Sequence, residues 1–387
     1  VTQELADLVR QLSKTGFTAS DAKAADLLRQ AALWEYQTHL DLQNGLDAKA
    51  TGTDAPAAEE PLSPAKLRAF LASVHPDGDK IRVDSLRRAE GGQGKQTYFF
   101  TLHDASGSPR DLVVRKAEPV PLRSHGAYLI EREFHLLKVV AATGYPAPMP
   151  LWMGKNIPGI DGNFFIMQRL PGEIVGTLLH GAAKIPEDYL LDVADHLAKL
   201  HAIPLDTFQD YISDHDAPQL MSESIEECYR RTIEEWRAYS EQEAGDVHSP
   251  LIEYLFDWLK RHVPHNPRRP VLVHGDFNIH NVLRLEGRVS GVLDWESAMF
   301  GAAEQDLAYI RPHIARHIAW DKFVQRYLDA GGQSLDMATL DFYMALSSTR
   351  VLDGLKSVTQ KLQGGVIRDF RYCAIQLGYT TQFMQHA

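Results

Sequence analysis

Asp276, Asn281 and Asp294 are the residues of this chain whose types and spacing suit a chemical step. They lie in RRPVLVHGDFNIHNVLRLEGRVSGVLDWE. PVLV reads as a short apolar strand delivering His274, Gly275 and Asp276 to its C-terminal end, with Asn281 five residues beyond Asp276. The pattern VLRLEGRVSGVLD predicts a β-hairpin turning at Glu286-Gly287, which returns Asp294 to the neighbourhood of Asn281. A carboxylate, an amide and a second carboxylate at one sheet edge are what phosphoryl transfer to a hydroxyl requires. One carboxylate orients the attacking hydroxyl and accepts its proton. The amide oxygen and the other carboxylate hold Mg²⁺ against a nucleotide's phosphates, because hard divalent cations prefer oxygen ligands. Asp276 is therefore the expected base, and Asn281 and Asp294 the expected metal ligands. A metal hydrolase would need further histidines at regular spacing, which the block lacks. His280 beside Asn281 is a lone histidine and a weak signal.

The spacing follows the kinase catalytic-loop and metal-binding pattern, with DWE in place of DFG. The block as a whole, HGD, four residues, Asn and then DWE, resembles the aminoglycoside phosphotransferase family. The resemblance implies a protein-kinase-like fold and ATP with Mg²⁺ as cofactors, GTP being the alternative nucleotide. It also implies that His274 packs and hydrogen-bonds beneath the catalytic loop without taking part in catalysis. After DWE the family commonly has Gly-Asp-Pro and then Asp-Leu; this chain keeps Gly301 and Asp306-Leu307 but has Ala302-Ala303 between. By resemblance, Asp306 props the loop through backbone hydrogen bonds.

The elements that must position these residues begin near residue 62. Ser63-Pro64 and LRAFL supply the cap and stripe of a helix. KIRVDSL, QTYFFTLHD and RDLVVRK read as strands, HGAYLIEREFHLLKVVAAT as an amphipathic helix ending before Gly144, and MPLWMGK and NFFIMQRL as two more strands. Three strands, a helix and two strands make the order of a kinase N-terminal lobe. In EGGQGKQTYFF, Gly91, Gly92 and Gly94 allow backbone amides to approach phosphate oxygens. The segment resembles the GGxSNxTY loop of the family subset related to the kinase domains of acyl-CoA dehydrogenase fusions, at the glycines, Gln93, Thr97 and Tyr98. It departs at Gly94-Lys95, where Ser-Asn is usual. On the third strand VVR puts Arg115 where kinases carry the lysine of VAIK; strand alternation sends Lys116 to the opposite face, and Lys116 is the alternative. The family's REY-like motif matches Arg132-Glu133-Phe134, which implies Glu133 as partner of that cation, with Glu131 on the same helix. FFIMQRLPG reads as the interlobe hinge. Met167 is expected behind the adenine, with the Gln168 carbonyl and Leu170 amide on the base edge; Pro171 has no N–H to offer.

The expected architecture is α+β: a bilobal kinase-like fold of antiparallel-sheet N-lobe (62–170) and helical C-lobe (171–387), preceded by a helical arm and linker (1–61). The arm's expected roles are packing or self-association into a homodimer. A net charge of −11 with no basic face argues against nucleic acid. No apolar run approaches the roughly 20 residues that cross a bilayer. Two separated cysteines and no signal-peptide core suit a cytoplasmic location.

The substrate half says less. Residues 205–260 carry 14 acidic against 4 basic residues, which could draw a cationic aminosugar or be solvated helix faces. Tyr229, Trp236, Tyr239, Tyr254 and Trp258 could line an apolar pocket. Further on, Arg350, Lys356, Arg368 and Arg371 offer cations to an anionic substrate such as an acyl-CoA thioester. The expected activity is phosphorylation of a small-molecule hydroxyl, a hydroxyacyl-type metabolite ahead of an aminoglycoside. The rivals are a non-catalytic nucleotide-binding module, against which the intact Asp, Asn, Asp set speaks, and a protein kinase, against which the missing APE-like element speaks.

Overall fold

The computed structural model describes residues 62–89, 95–118, 129–175, 184–215, 217–243 and 249–363. The N-terminal arm and the dimer role expected of it, Gly91, Gly92 and Gly94, and Arg368 and Arg371 lie outside these residues.

The N-lobe opens with α1 (Pro64–Val74). Ser63 caps it by accepting the Lys66 amide proton at 3.3 Å, and Pro64 occupies the first turn, where no backbone donor is needed. Strands β1 (Arg82–Arg88), β2 (Lys95–His103), β3 (Arg110–Ala117), β4 (Pro150–Gly154) and β5 (Phe164–Gln168) form one antiparallel sheet in the order β1-β2-β3-β5-β4. Because side chains alternate across a strand, the sheet has two distinct faces. Tyr98, Phe100, Leu102, Leu112, Val114, Phe164 and Ile166 point outward and pack with Leu67, Phe70 and Leu71 of α1. Val113, Phe165 and Met167 point inward and join the core shared with the C-lobe. Phe164 and Phe165 are both fully buried on opposite faces, and each contributes about 1.5–3 kcal/mol to stability. Helix α2 (Ile130–Ala142) follows β3 and turns Ile130, Glu133, Leu136, Leu137 and Val140 into the interior. Residues 125–128 of the predicted helix lie outside the description.

Beyond the crossing, the two-residue β6 (Glu173–Ile174) already pairs with a C-lobe strand, β8 (Val282–Leu285), which in turn pairs with β9 (Arg288–Val292). The C-lobe is otherwise helical: α3 (Glu187–His201), α4 (Gln209–His215), α5 (Ile225–Glu243), α6 (Pro250–Arg261), α7 (Ala303–Ile314), α8 (Trp320–Asp329) and α9 (Leu340–Gln363). A second short ribbon pairs β7 (Val271–Val273) with β10 (Met299–Gly301). Helix α3 is buried over most of its surface, with Tyr189, Leu190, Val193, Ala194 and Leu197 fully buried. The chain is thus an α+β, two-lobed kinase-like molecule, as its sequence predicts. Strands β6 and β10 were not expected; runs of two and three residues carry too little alternation to be seen without their partners.

Candidate active site

Strand β7 ends at Val273, and the next eight residues hold the expected base and one expected metal ligand. Phe277 and Ile279, both buried, anchor this segment, and Asn281 closes a 3-10 turn over Ile279–Asn281. Gly275 has φ +73, and a Cβ there would collide with the Ser297 carbonyl and crowd Arg350, so no other residue fits the turn. The Asn281 amide donates to both the backbone oxygen and Oδ2 of Asp276, each at 3.0 Å. The Leu293 N–H donates to the Asn281 carbonyl at 2.8 Å, which brings the end of the β8–β9 hairpin, and with it Asp294, to the catalytic segment. Asp294 adopts a left-handed conformation (φ 64, ψ 64) that costs a non-glycine residue on the order of 1 kcal/mol. The fold therefore juxtaposes Asp276, Asn281 and Asp294.

Burial pushes the Asp276 carboxyl up, and the charge of Asp294 pushes it further; Arg350 and hydrogen bonds from Tyr309 and Asn281 oppose both, leaving it at about 7. That is where a general base works best at neutral pH. Beneath it, Asp306 accepts the amide protons of His274 (2.7 Å) and Gly275 (2.8 Å) on its two oxygens. Burial alone would raise the Asp306 carboxyl, but donors from His201 and His274 outweigh it and hold the group ionised. His201 lies 3.2 Å from Asp306 and in turn meets the Tyr327 hydroxyl at 3.0 Å. Burial keeps His274 neutral; its Nε2 lies 2.9 Å from the Leu293 carbonyl, and its ring packs on Trp295 and Phe277. His280 is also held neutral, pushed down to about 4 first by burial and then by His313 and His274.

On the N-lobe side, β3 alternation sends Arg115 inward and Lys116 outward. Arg115 meets Glu133 at 2.7 Å, Asp294 at 2.5 Å and Glu296 at 3.1 Å. Lys116 instead pairs with Asp161 at 3.1 Å on the other face. Glu131 accepts from Asn163 at 2.6 Å and takes no part in the cluster. Thr97 sits opposite Arg115 in the β2–β3 register. At the hinge Met167 is buried, the Gln168 N–H is committed to the Met149 carbonyl at 2.9 Å, and Leu170 packs against Gly291.

Several residues at the site were not read as parts of it. Lys95 lies 2.5 Å from Glu296 and 3.3 Å from Glu133. Burial pulls this ammonium toward deprotonation, but the two carboxylates more than reverse that and raise its pKa. Tyr309 reaches Asp276 from α7, the helix that also carries Asp306, and His201 reaches Asp306 from the end of α3. Arg350, expected to serve substrate, hydrogen-bonds the carbonyls of Gly275 and, at 3.4 Å, Ser297. The only hint for Lys95 was its place directly after the glycines.

Between the DWE segment and α5 lies a cavity of about 90 Å³ bordered by Arg132, Arg231, Trp236, Glu296 and Arg350. Part of the acidic stretch expected to draw a cation is paired here, Glu226 with Arg230, Glu223 and Glu235 with Arg231, and Glu241 with Arg237, and acids remain in excess. Of the aromatics expected to line a pocket, Tyr229 is fully buried and bonds Gln305, while Trp236 borders the cavity.

An oxygen donor set of one amide and one carboxylate suits Mg²⁺. The contact of Asp294 with the Arg115 guanidinium shows that this position already accommodates a cation.

Comparison with known proteins supplies independent findings. Residues 85–343 match the phosphotransferase enzyme family (APH). Acyl-CoA dehydrogenase family member 11 of Gallus gallus is 26% identical over 292 residues, covering 68% of this chain and 35% of that protein. The chain thus spans about a third of the length of the curated relatives it matches. Among solved structures, a Ralstonia eutropha protein provisionally described as an aminoglycoside phosphotransferase superposes with a TM-score of 0.57 at 21% identity, covering 84% of this chain and 99% of that one. The GDP and kanamycin complex of APH(2'')-IIIa superposes with a TM-score of 0.52 at 18% identity, covering 83% and 98%. At these identities the structures speak for the fold.

Proposed function

The chain belongs to the phosphotransferase enzyme family, and from that premise we propose that it transfers the terminal phosphoryl group of a nucleoside triphosphate, ATP ahead of GTP, to a hydroxyl of a small molecule. The observation that carries this reading is the convergence of Asp276, Asn281 and Asp294: the half-buried Asp276 carboxylate accepts from Asn281 at 3.0 Å and stands beside Asp294, whose charge adds to burial in raising it to about 7. Asp276 orients the acceptor hydroxyl and takes its proton as the oxygen attacks phosphorus. The bond from that phosphorus to the bridging oxygen breaks and the nucleoside diphosphate leaves; Asn281 and Asp294 would hold Mg²⁺, which would neutralise charge on the transferring phosphoryl group. Arg115, itself fixed by Glu133, exchanges Asp294 for phosphate oxygens. Met167, Gln168 and Leu170 border the base pocket. His274 and Asp306 fix the loop and leave the proton transfer to Asp276.

The acceptor enters by the cavity beside Glu296. The relatedness to acyl-CoA dehydrogenase family members favours a hydroxyacyl-type metabolite over an aminosugar. A phosphotransfer screen with ATP or GTP against hydroxyacyl thioesters, aminoglycosides, macrolides and short polyols tests this. Product from a hydroxyacyl compound is expected; product only from protein substrates, or none with any acceptor, would sink it.

The tuning of Asp276 also sets a pH dependence. The carboxylate is the active form, so kcat/KM for the nucleotide, which reports the free enzyme, should fall on the acid side with an apparent pKa near 7. A rate flat from pH 5 to 8 would contradict Asp276 as base.

A further inference from the structure

We propose that Lys95 is a second phosphate-binding cation of the nucleotide site, for which Glu296 holds the place of the phosphate oxygens. The proposal rests on the nucleotide-dependent reading above and concerns a position where the chain departs from the loop it resembles.

Four observations carry it. Lys95, two residues before Thr97 on β2, shares the inward face of the sheet with Thr97 and Arg115, while Gln96, Tyr98 and Lys116 face outward. Its ammonium also shares both of its carboxylates with Arg115. Glu133 offers one oxygen to each cation, and Oε2 of Glu296 meets both, at 2.5 Å from Lys95 and 3.1 Å from Arg115. Placing two buried cations side by side is costly, and their carboxylates are only partly matched, since Arg115 Nε and Glu133 Oε2 are buried without a hydrogen-bond partner. A polyphosphate, by contrast, presents several anionic oxygens to such a pair. Third, the contact crosses the cleft: Lys95 reaches from the N-lobe sheet to a residue two beyond Asp294, so the ammonium lies over the metal-ligand segment. Fourth, the partners differ in freedom. The Glu133 side chain is 3% exposed and fixed, whereas that of Glu296 is 24% exposed and can turn to water when phosphate takes its place.

A merely structural pillar would behave differently. Binding of ATP, ADP and adenosine to the full chain, measured by calorimetry without divalent metal, separates the two. Lys95→Met should weaken ATP and ADP by roughly 10- to 100-fold, the worth of a charge-assisted hydrogen bond, and leave adenosine unchanged. Lys95→Arg should recover most of the loss, and Glu296→Gln should tighten ATP by removing the competing carboxylate. The idea is overturned if Lys95→Met binds ATP within twofold of the parent, if adenosine weakens as much as ATP, or if Glu296→Gln leaves ATP affinity unchanged. A parent chain that binds none of the three would instead overturn the nucleotide-dependent reading, and Lys95 with it.

Discussion

Asp276→Asn is expected to lower acceptor phosphorylation about 10²- to 10⁴-fold, the usual contribution of a positioned general base, while nucleotide affinity stays within a few fold. Asparagine keeps the shape and the neighbours of the side chain, Asn281 and Tyr309, and removes only the proton acceptor. The same substitution should make the protein more stable at neutral pH. The folded carboxyl titrates at about 7, well above the ordinary 3.8, so its stability contribution is intact below pH 4 and is lost as pH rises toward 7. Asparagine suffers no such loss. The gain in melting temperature should therefore grow from pH 4 to pH 7 and level off above. Turnover near the parent's, or a stability gain independent of pH, would remove Asp276 from its role.

Asp306→Ala should act in the opposite sense on stability. It strips acceptors from the amides of His274 and Gly275 and from His201, all buried, and leaves three donors facing each other. Breaking such a buried set costs about 3–5 kcal/mol. At about 2.1 cal/mol/K of unfolding entropy per residue, a chain of 387 residues shifts by roughly 1.2 °C per kcal/mol, so a fall of about 4–6 °C is expected in a thermal melt. Asp306→Asn, which keeps one good acceptor, should fall between. A variant melting within 2 °C of the parent at full activity would show that the loop is held by other means.

Much of this site was legible because its chemistry is local in sequence. Asp276, Asn281 and Asp294 fall within one strand, one turn and one hairpin, and spacing alone brings them together. Arg115 and Lys116 are a case of partial legibility: alternation says they face opposite ways, but only the packing of Val114 with α1 tells which way is outward. What stayed hidden is the long-range part. Lys95 meets Glu296 across 201 residues, His201 meets Asp306 across 105, and Arg350 reaches Gly275 across 75. No periodicity encodes such pairs. The acidic composition of 205–260 was legible only as a count, which cannot show that Arg230, Arg231 and Arg237 pair with carboxylates of their own helix or its neighbours.

Arg350 stands midway along α9 and holds the carbonyls on both sides of the catalytic centre, Gly275 before it and Ser297 after. Catalytic loops commonly belong to the part of a protein that opens first and closes last. Here the loop is tied through one side chain to the interior of a 24-residue helix that packs on α7 and α6, so undocking of that helix would release it. Its order is then coupled to the packing of that helix, and a weakening of α9 far from the cleft would be felt at the loop.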